Sequence, residues 1–226
     1  MFFDPRFFLV VGPFMLLAFF ASMRVKSTFK RYAKVGVRSG MTGAEAARAV
    51  ARAGGAEVTV ERVGGFLSDH YDPRTKTLRL SPEVHDGRSI SAIAVGAHEA
   101  GHAIQDVRQY AWLGMRSSLV PMTMMGSRSW IWIFIAGMLL HLPALAWVGV
   151  ILFSFTVIFQ LVTLPVEFDA SKRAKAVLVE AGIVSSAEEE KGVSDVLGAA
   201  AMTYVAGALT AIATLFYYVT LLSGRD

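Results

Sequence analysis

The chain is 226 residues long, 54% hydrophobic and only 18% charged, with a formal net charge of +4. A soluble domain of this size carries nearer a quarter charged residues, and here the deficit is concentrated in a few long apolar runs, the pattern of a membrane protein. There is no cysteine, which excludes a disulfide framework and any thiolate metal site, so a bound metal must use histidine nitrogen and carboxylate oxygen.

The first apolar run, residues 7–23, contains no charge. Arg6 precedes it, and Arg24, Lys26, Lys30, Arg31, Lys34 and Arg38 follow it with no acid before Glu45. A cleaved signal peptide would carry its positive charge on the other side. This distribution predicts an uncleaved transmembrane helix over residues 1–23, its N-terminus outside and the next region cytoplasmic. Because the basic residues stand beside an apolar run, the expected partner is the lipid bilayer and not nucleic acid.

Residues 24–116 form one modest polar region. Thr42, Gly43, Ala44 and Glu45 make a capping box that opens a helix, and Gly54 with Gly55 ends it. Residues 57–63 alternate and are rich in Val and Thr, which predicts a strand; Asp72-Pro73 marks a turn, and residues 75–80 predict a second strand. Residues 90–110 predict a buried helix, with Ile93, Val95, Ala97, Ala100, Ala103 and Ile104 on it.

The second apolar region, residues 119–166, has the length of two spanning helices, since one needs about 20 residues. His141-Leu142-Pro143 is the natural turn between them, so residues 117–166 are expected to hold transmembrane helices 2 and 3. Arg128 lies inside the first of the pair and is expected to snorkel to the cytoplasmic surface. Residues 167–195 are expected to be a cytoplasmic helical segment, with Glu188-Glu189-Glu190-Lys191 as a solvated face. Residues 196–226 hold the fourth transmembrane helix. Its small residues, among them Gly198, Ala199, Ala206 and Gly207, predict close packing on neighbouring helices.

The chemistry is carried by His98-Glu99-Ala100-Gly101-His102, a His-Glu-x-x-His (HExxH) pattern on the buried helix. Residues four apart share a helix face, so both imidazoles can hold one metal ion. Glu99 then stands beside the metal, within reach of a water whose pKa zinc lowers towards neutrality. In an apolar helix an unpartnered His and Glu would be expensive. Gly101 is costly in mid-helix, which points to a close approach by another element. Gln105 and Arg108 stand where a downstream extension would need Gly and His, so the third ligand should be a carboxylate on another helix. The candidates are Glu167, Asp169, Glu180 and Glu188 to Glu190. Glu167 stands at the membrane boundary at the end of the third apolar run. Only a two-helix reading of residues 119–166 returns it to the side where His98 and His102 lie.

These residues resemble the YugP-like neutral zinc metallopeptidases, a bacterial membrane family. The matching stretches are Gly65-Phe66-Leu67-Ser68-Asp69-His70-Tyr71-Asp72-Pro73, Leu78-Arg79-Leu80-Ser81, Ala97-His98-Glu99-Ala100-Gly101-His102-Ala103-Ile104-Gln105 and Leu164-Pro165-Val166-Glu167-Phe168-Asp169-Ala170-Ser171. More distantly the chain is similar to the HtpX and CAAX-processing membrane endopeptidases, of the gluzincin type. The resemblance implies one Zn2+ per chain held by His98, His102 and Glu167, with Glu99 as general base. Those relatives usually carry Glu-x-x-Ala-Asp in the last block. Here Ser171 replaces the Asp, so the partner that orients a zinc-bound histidine falls to Asp169 or another residue. His70 or Tyr71 is a candidate donor to the oxyanion; the same segment could equally cap a turn before Asp72-Pro73. His85 and His141 are expected to be loop residues.

The expected protein is therefore a mainly α membrane protein with four transmembrane helices and a small cytoplasmic α+β, zincin-like portion carrying the HExxH helix. Its expected place is the cell membrane, as a multi-pass protein with the active site on the cytoplasmic side. The expected activity is zinc-dependent endopeptidase cleavage of a protein or peptide substrate, which the membrane position suggests is membrane-associated. The alternatives are a non-catalytic adaptor that keeps zinc for structure and a site-2-type intramembrane protease. The second would need a downstream Asp-Gly, whereas Asp86-Gly87 precedes the motif.

Overall fold

The computed structural model describes residues 4–65 and 68–224; Phe66 and Leu67 of the first matching stretch lie outside the described residues. In chain order the elements are α1 (Pro5–Tyr32), α2 (Gly43–Ala53), β1 (Thr59–Arg62), β2 (His70–Asp72), β3 (Thr77–Leu80), α3 (Pro82–His85), α4 (Ile90–Val107), α5 (Ala111–Leu139), α6 (Pro143–Glu180) and α7 (Ala187–Ser223). The protein is mainly helical, with a small sheet.

Local chemistry sets most of the boundaries. Asp4 caps α1 by accepting from the Arg6 N–H, and the helix runs past the apolar stretch to Lys30 and Arg31 in its last turn, where cations favour the helix C-terminus. Thr42 and Glu45 form both halves of the capping box on α2. The helix closes at Gly54, and Gly55 takes φ +85°, the left-handed region that glycine enters without steric cost. Ser89 caps α4. Between α5 and α6, His141 sits at φ +54° and Pro143 opens α6. Both long helices exceed the predicted apolar region, and α6 continues unbroken past Val166, with Pro165 inside it.

The sheet has the order β1-β3-β2, with β1 parallel and β2 antiparallel to β3. Two of these strands follow from alternation in the sequence. The third, His70-Tyr71-Asp72, is too short and polar to show it. Leu78 and Leu80 of β3 are fully buried against a core made by α4, the alanine face of α2 and the C-terminal part of α6.

The long helices form a bundle with α4 and the sheet at one end. Helix α1 runs beside α7, held at one end by the Tyr217 hydroxyl donating to Asp4 (2.7 Å), midway by Thr210 donating to the Phe14 carbonyl (3.1 Å), and at the other end by Tyr32 donating to Asp195 (2.6 Å). Helix α5 folds back on α6, where a Cβ on Gly126 would lie 2.8 Å from the Leu152 carbonyl oxygen and one on Gly149 2.8 Å from that of Trp130. The small-residue prediction for α7 holds at Ala199, Ala206 and Ala208, which are buried, whereas a Cβ on Gly198 would meet nothing within 4 Å.

Three helices among the described residues are long and apolar enough to cross a membrane by length and composition: α1, α6 and α7. Four were expected. Helix α5 falls outside this set; it carries Arg128, which lies exposed, amid Ser, Thr and Trp. Large apolar side chains such as Leu9, Phe19, Phe20, Ile151 and Phe216 point outward from the three apolar helices, as a surface facing lipid requires.

A second correction concerns the acidic run. Glu188 and Glu190 are exposed, but Glu189 is buried. Its carboxylate accepts the backbone N–H groups of Arg38, Ser185 and Ser186, tying the start of α7 to the loop after α1. Four consecutive charges fit a solvated face by composition, but one of the four is the N3 residue of a capping box.

Helices α4 and α6 approach closely at Gly101, where a Cβ would lie 2.5 Å from the Ala170 carbonyl oxygen. Gly101→Val should force the helices apart at an overpacking cost of about 1–3 kcal/mol. It should lower the thermal unfolding midpoint in detergent micelles by about 5 °C. Gly198→Ala, placed in open space, should leave the midpoint unchanged or raise it.

Candidate metal centre

Helix α4 is built almost wholly from small and apolar residues, so it can be buried on several sides. Its polar side chains then converge because of spacing alone. His98 and His102 are one turn apart, their ring centroids 4.8 Å from each other and nearly perpendicular. Glu167 projects from α6 towards both. Its Oε2 lies 3.2 Å from His98 Nε2 and 3.7 Å from His102 Nε2, and Glu167 is only 2% exposed. A carboxylate so deeply buried is costly unless cationic or metal partners compensate it.

The far side of each ring is also held. His98 Nδ1 lies 3.1 Å from Ser171 Oγ, and His102 Nδ1 lies 3.0 Å from Gln105 Oε1. Gln105 is completely buried. Its amide nitrogen donates to the Val166 carbonyl and to Asp169, both at 2.8 Å, so its oxygen must face His102. A ring that donates from Nδ1 presents the lone pair of Nε2 on its other side. Asp169 is in turn fixed by Arg173 at 2.5 Å, and the Arg173 guanidinium lies over the Tyr110 ring. Arg116 approaches the other oxygen of Glu167 at 3.8 Å.

The group fits a divalent metal. One ligand atom from each of His98, His102 and Glu167 can be chosen so that all lie within 4.8 Å of one another, and among the described residues the group has these three members. Two nitrogens and one oxygen are a donor set that suits zinc, and three protein ligands leave a coordination position open. Burial works against a charged His102 ring, but the hydrogen bond and charge of Glu167 outweigh it, so His102 keeps its proton above the ordinary histidine pKa. A metal would replace that proton.

Glu99, 8% exposed, lies on the next position of α4. It lines a cleft of about 410 Å³ between α1, α4 and α7, together with His98, Asp69 and Tyr204. Asp69 accepts from the backbone N–H and the hydroxyl of Ser81. Burial pushes its carboxyl up, the Ser81 hydrogen bonds pull it down, and the nearby Glu99 charge adds to the upward shift.

Other residues singled out in the sequence lie elsewhere. His70 is exposed on β2 with Nδ1 2.8 Å from the Ser68 carbonyl, and it does not line the cleft. Tyr71 donates to Asp106 at 2.7 Å. Of the remaining third-ligand candidates, Asp169 is engaged by Gln105 and Arg173, Glu180 is exposed at the end of α6, and Glu189 caps α7. His85 pairs with Asp86, and His141 is in the α5–α6 turn. Sequence reasoning missed Gln105, Ser171 and Tyr204 as members of the site. Gln105 did carry a signal: a polar side chain three residues beyond His102, on the buried stripe of an apolar helix.

Residues 7–223 match the family described as "Putative neutral zinc metallopeptidase". The chain belongs to this family. It is also 48% identical over 212 residues to the "Putative membrane protease YugP" of Bacillus subtilis (strain 168), a match that covers 93% of this chain and 94% of that protein. No solved structure matches the chain.

If Gln105 orients His102, removing its oxygen should weaken the metal without unfolding the helix. Gln105→Leu, similar in size, should lower zinc affinity about 10- to 100-fold, measured by competition with a chromogenic chelator. The circular dichroism of the purified protein should be unchanged.

Proposed function

We propose that the chain is a membrane-embedded zinc-dependent endopeptidase that hydrolyses peptide bonds near the cytoplasmic face of the membrane. The observation that carries this reading is the convergence of His98 Nε2 and His102 Nε2 on one oxygen of Glu167, with Glu99 adjacent and open to a cleft. His98, His102 and Glu167 are the metal ligands, and Glu99 is the general base. Bound zinc supplies Lewis-acid chemistry, polarising the scissile carbonyl and acidifying a water. Glu99 takes the proton of the attacking water and later delivers it to the leaving amine. Gln105 and Ser171 hold the two imidazoles in the orientation this needs.

The α+β portion that carries α4 is zincin-like in this reading. It belongs to a cytoplasmic catalytic region, residues 24–116, completed by the segment 167–195 that brings Glu167. The basic residues after the apolar part of α1 support the cytoplasmic assignment. Helix α5 is the fourth membrane helix. Its support is that it runs back along α6, whose first turns pack beside the end of α7. The cleft walls belong to α1 and α7, between the last uncharged residues of one apolar run and the first of the other. A polypeptide segment held close to the bilayer is the substrate this position suits.

Purified wild type should carry one zinc per chain, and Glu167→Ala should lose it. Glu99→Gln should keep the zinc and lose casein cleavage by at least about 100-fold. Metal retained in Glu167→Ala would remove Glu167 from the ligand set. Zinc bound with a fourth protein ligand would favour a structural role.

A further inference from the structure

A positioned hydrogen-bond donor for the oxygen that becomes negative as the carbonyl is attacked accelerates peptide hydrolysis alongside a metal, and resting on the peptidase reading above, we propose that the Tyr204 hydroxyl of α7 is that donor. The polar side chains that line the cleft are Ser22, Lys26, Asp69, His98, Glu99, Thr203 and Tyr204. Most are already committed. Ser22 and Thr203 donate to the Ala18 and Ala200 carbonyls of their own helices. Asp69 only accepts, from Ser81. His98 faces Ser171 and Glu167, and Glu99 is the base. Lys26 is exposed within the basic run of α1, where a long cation reaches the headgroup layer.

Tyr204 differs from all of these. It lines the cleft beside His98 and Glu99, near enough to the Glu167 and Glu99 carboxylates to feel their charge. It is therefore directed at the centre formed by a metal ligand and the base, from a helix that supplies neither. The aromatic ring is semi-rigid and carries its O–H at a fixed distance from the backbone, the property that a preorganised donor needs.

The step balances without a further reactant. The water oxygen bonds to the carbonyl carbon while one of its protons passes to Glu99. The carbonyl π pair moves onto its oxygen, which accepts the Tyr204 O–H hydrogen bond. The C–N bond then breaks, its electron pair leaving with nitrogen, which takes the proton from Glu99. Tyr204 keeps its own proton throughout.

The test compares zinc-loaded wild type, Tyr204→Phe, Lys26→Met and His70→Ala in detergent micelles, on a quenched fluorogenic peptide. Three readouts are taken: kcat and KM, zinc per chain, and affinity for a phosphinic peptide that mimics the tetrahedral species. Tyr204→Phe should lose about 100- to 1000-fold in kcat, with KM little changed and zinc content equal to wild type. Its affinity for the phosphinic peptide should fall by a similar factor. His70→Ala, outside the cleft, should stay near wild type, and Lys26→Met should lose far less than Tyr204→Phe. Undiminished kcat in Tyr204→Phe, or the same loss appearing in Lys26→Met instead, overturns the assignment. So does loss of zinc from Tyr204→Phe, which would make Tyr204 a support for Glu167. Zinc-loaded wild type that cleaves nothing and ignores the phosphinic peptide would overturn the peptidase reading itself, and the donor role with it.

Discussion

The absence of a side chain at Gly101 is the constraint on which the site depends. Two of the proposed ligands stand on α4 and the third on α6, and neither helix alone can gather them. Contact between the backbones at Gly101 and Ala170 sets the separation at which Glu167 reaches both imidazoles. The same contact brings Val166, Asp169 and Ser171 within reach of α4. A glycine that is unfavourable in an isolated helix is thus required by the helix pair, and its cost is offset by packing over the whole interface.

That approach creates an electrostatic problem, which the surrounding side chains solve. Glu167, His98, His102 and Gln105 are all taken from water into a region walled by alanine and valine. Each polar atom there finds a partner in a chain that runs from Glu167 through His102 and Gln105 to Asp169, Arg173 and the face of Tyr110. The chain ends at partly exposed groups, so the charge farthest from the ligands is the one nearest water. Asp169, the alternative left when Ser171 stands at the family pattern's Asp, reaches His102 only through Gln105. Ser171 takes the position beside His98. A neutral hydroxyl there adds no second negative charge next to Glu167.

Features set by neighbouring residues were legible in the sequence, and features set by helix pairing were not. The Thr42–Glu45 box, the Gly54-Gly55 stop, the Ser89 start of α4 and the His141-Leu142-Pro143 turn are each decided within about four residues. The i,i+4 spacing of His98 and His102 is of the same local kind. Glu167 could be chosen only by adding a topological argument, because its partners are about 65 residues away. Strand β2 was missed because three residues cannot show a period. Glu189 was misread because composition does not say which of four charges a cap will take inward. Tyr204 had no signal at all: an aromatic residue in an apolar run is ordinary, and only the packing of α7 against the α4–α6 pair turns it towards Glu167.

The helices around this centre answer to a different solvent. Large apolar side chains cover the outside of α1, and few of its residues are buried by protein. Besides the apolar cluster of Val11 and Phe14 with Ala213 and Tyr217, its contacts with α7 include three hydrogen bonds at intervals along the pair, because in lipid apolar contact alone does not distinguish a neighbouring helix from an acyl chain. Between the middle bond at Phe14 and the inner one at Tyr32, the facing side chains do not close the gap, and that stretch is where the cleft opens. The spacing of these bonds therefore does two things at once. It fixes α7 to α1, and it leaves open beside them the cleft that Tyr204 lines together with His98 and Glu99.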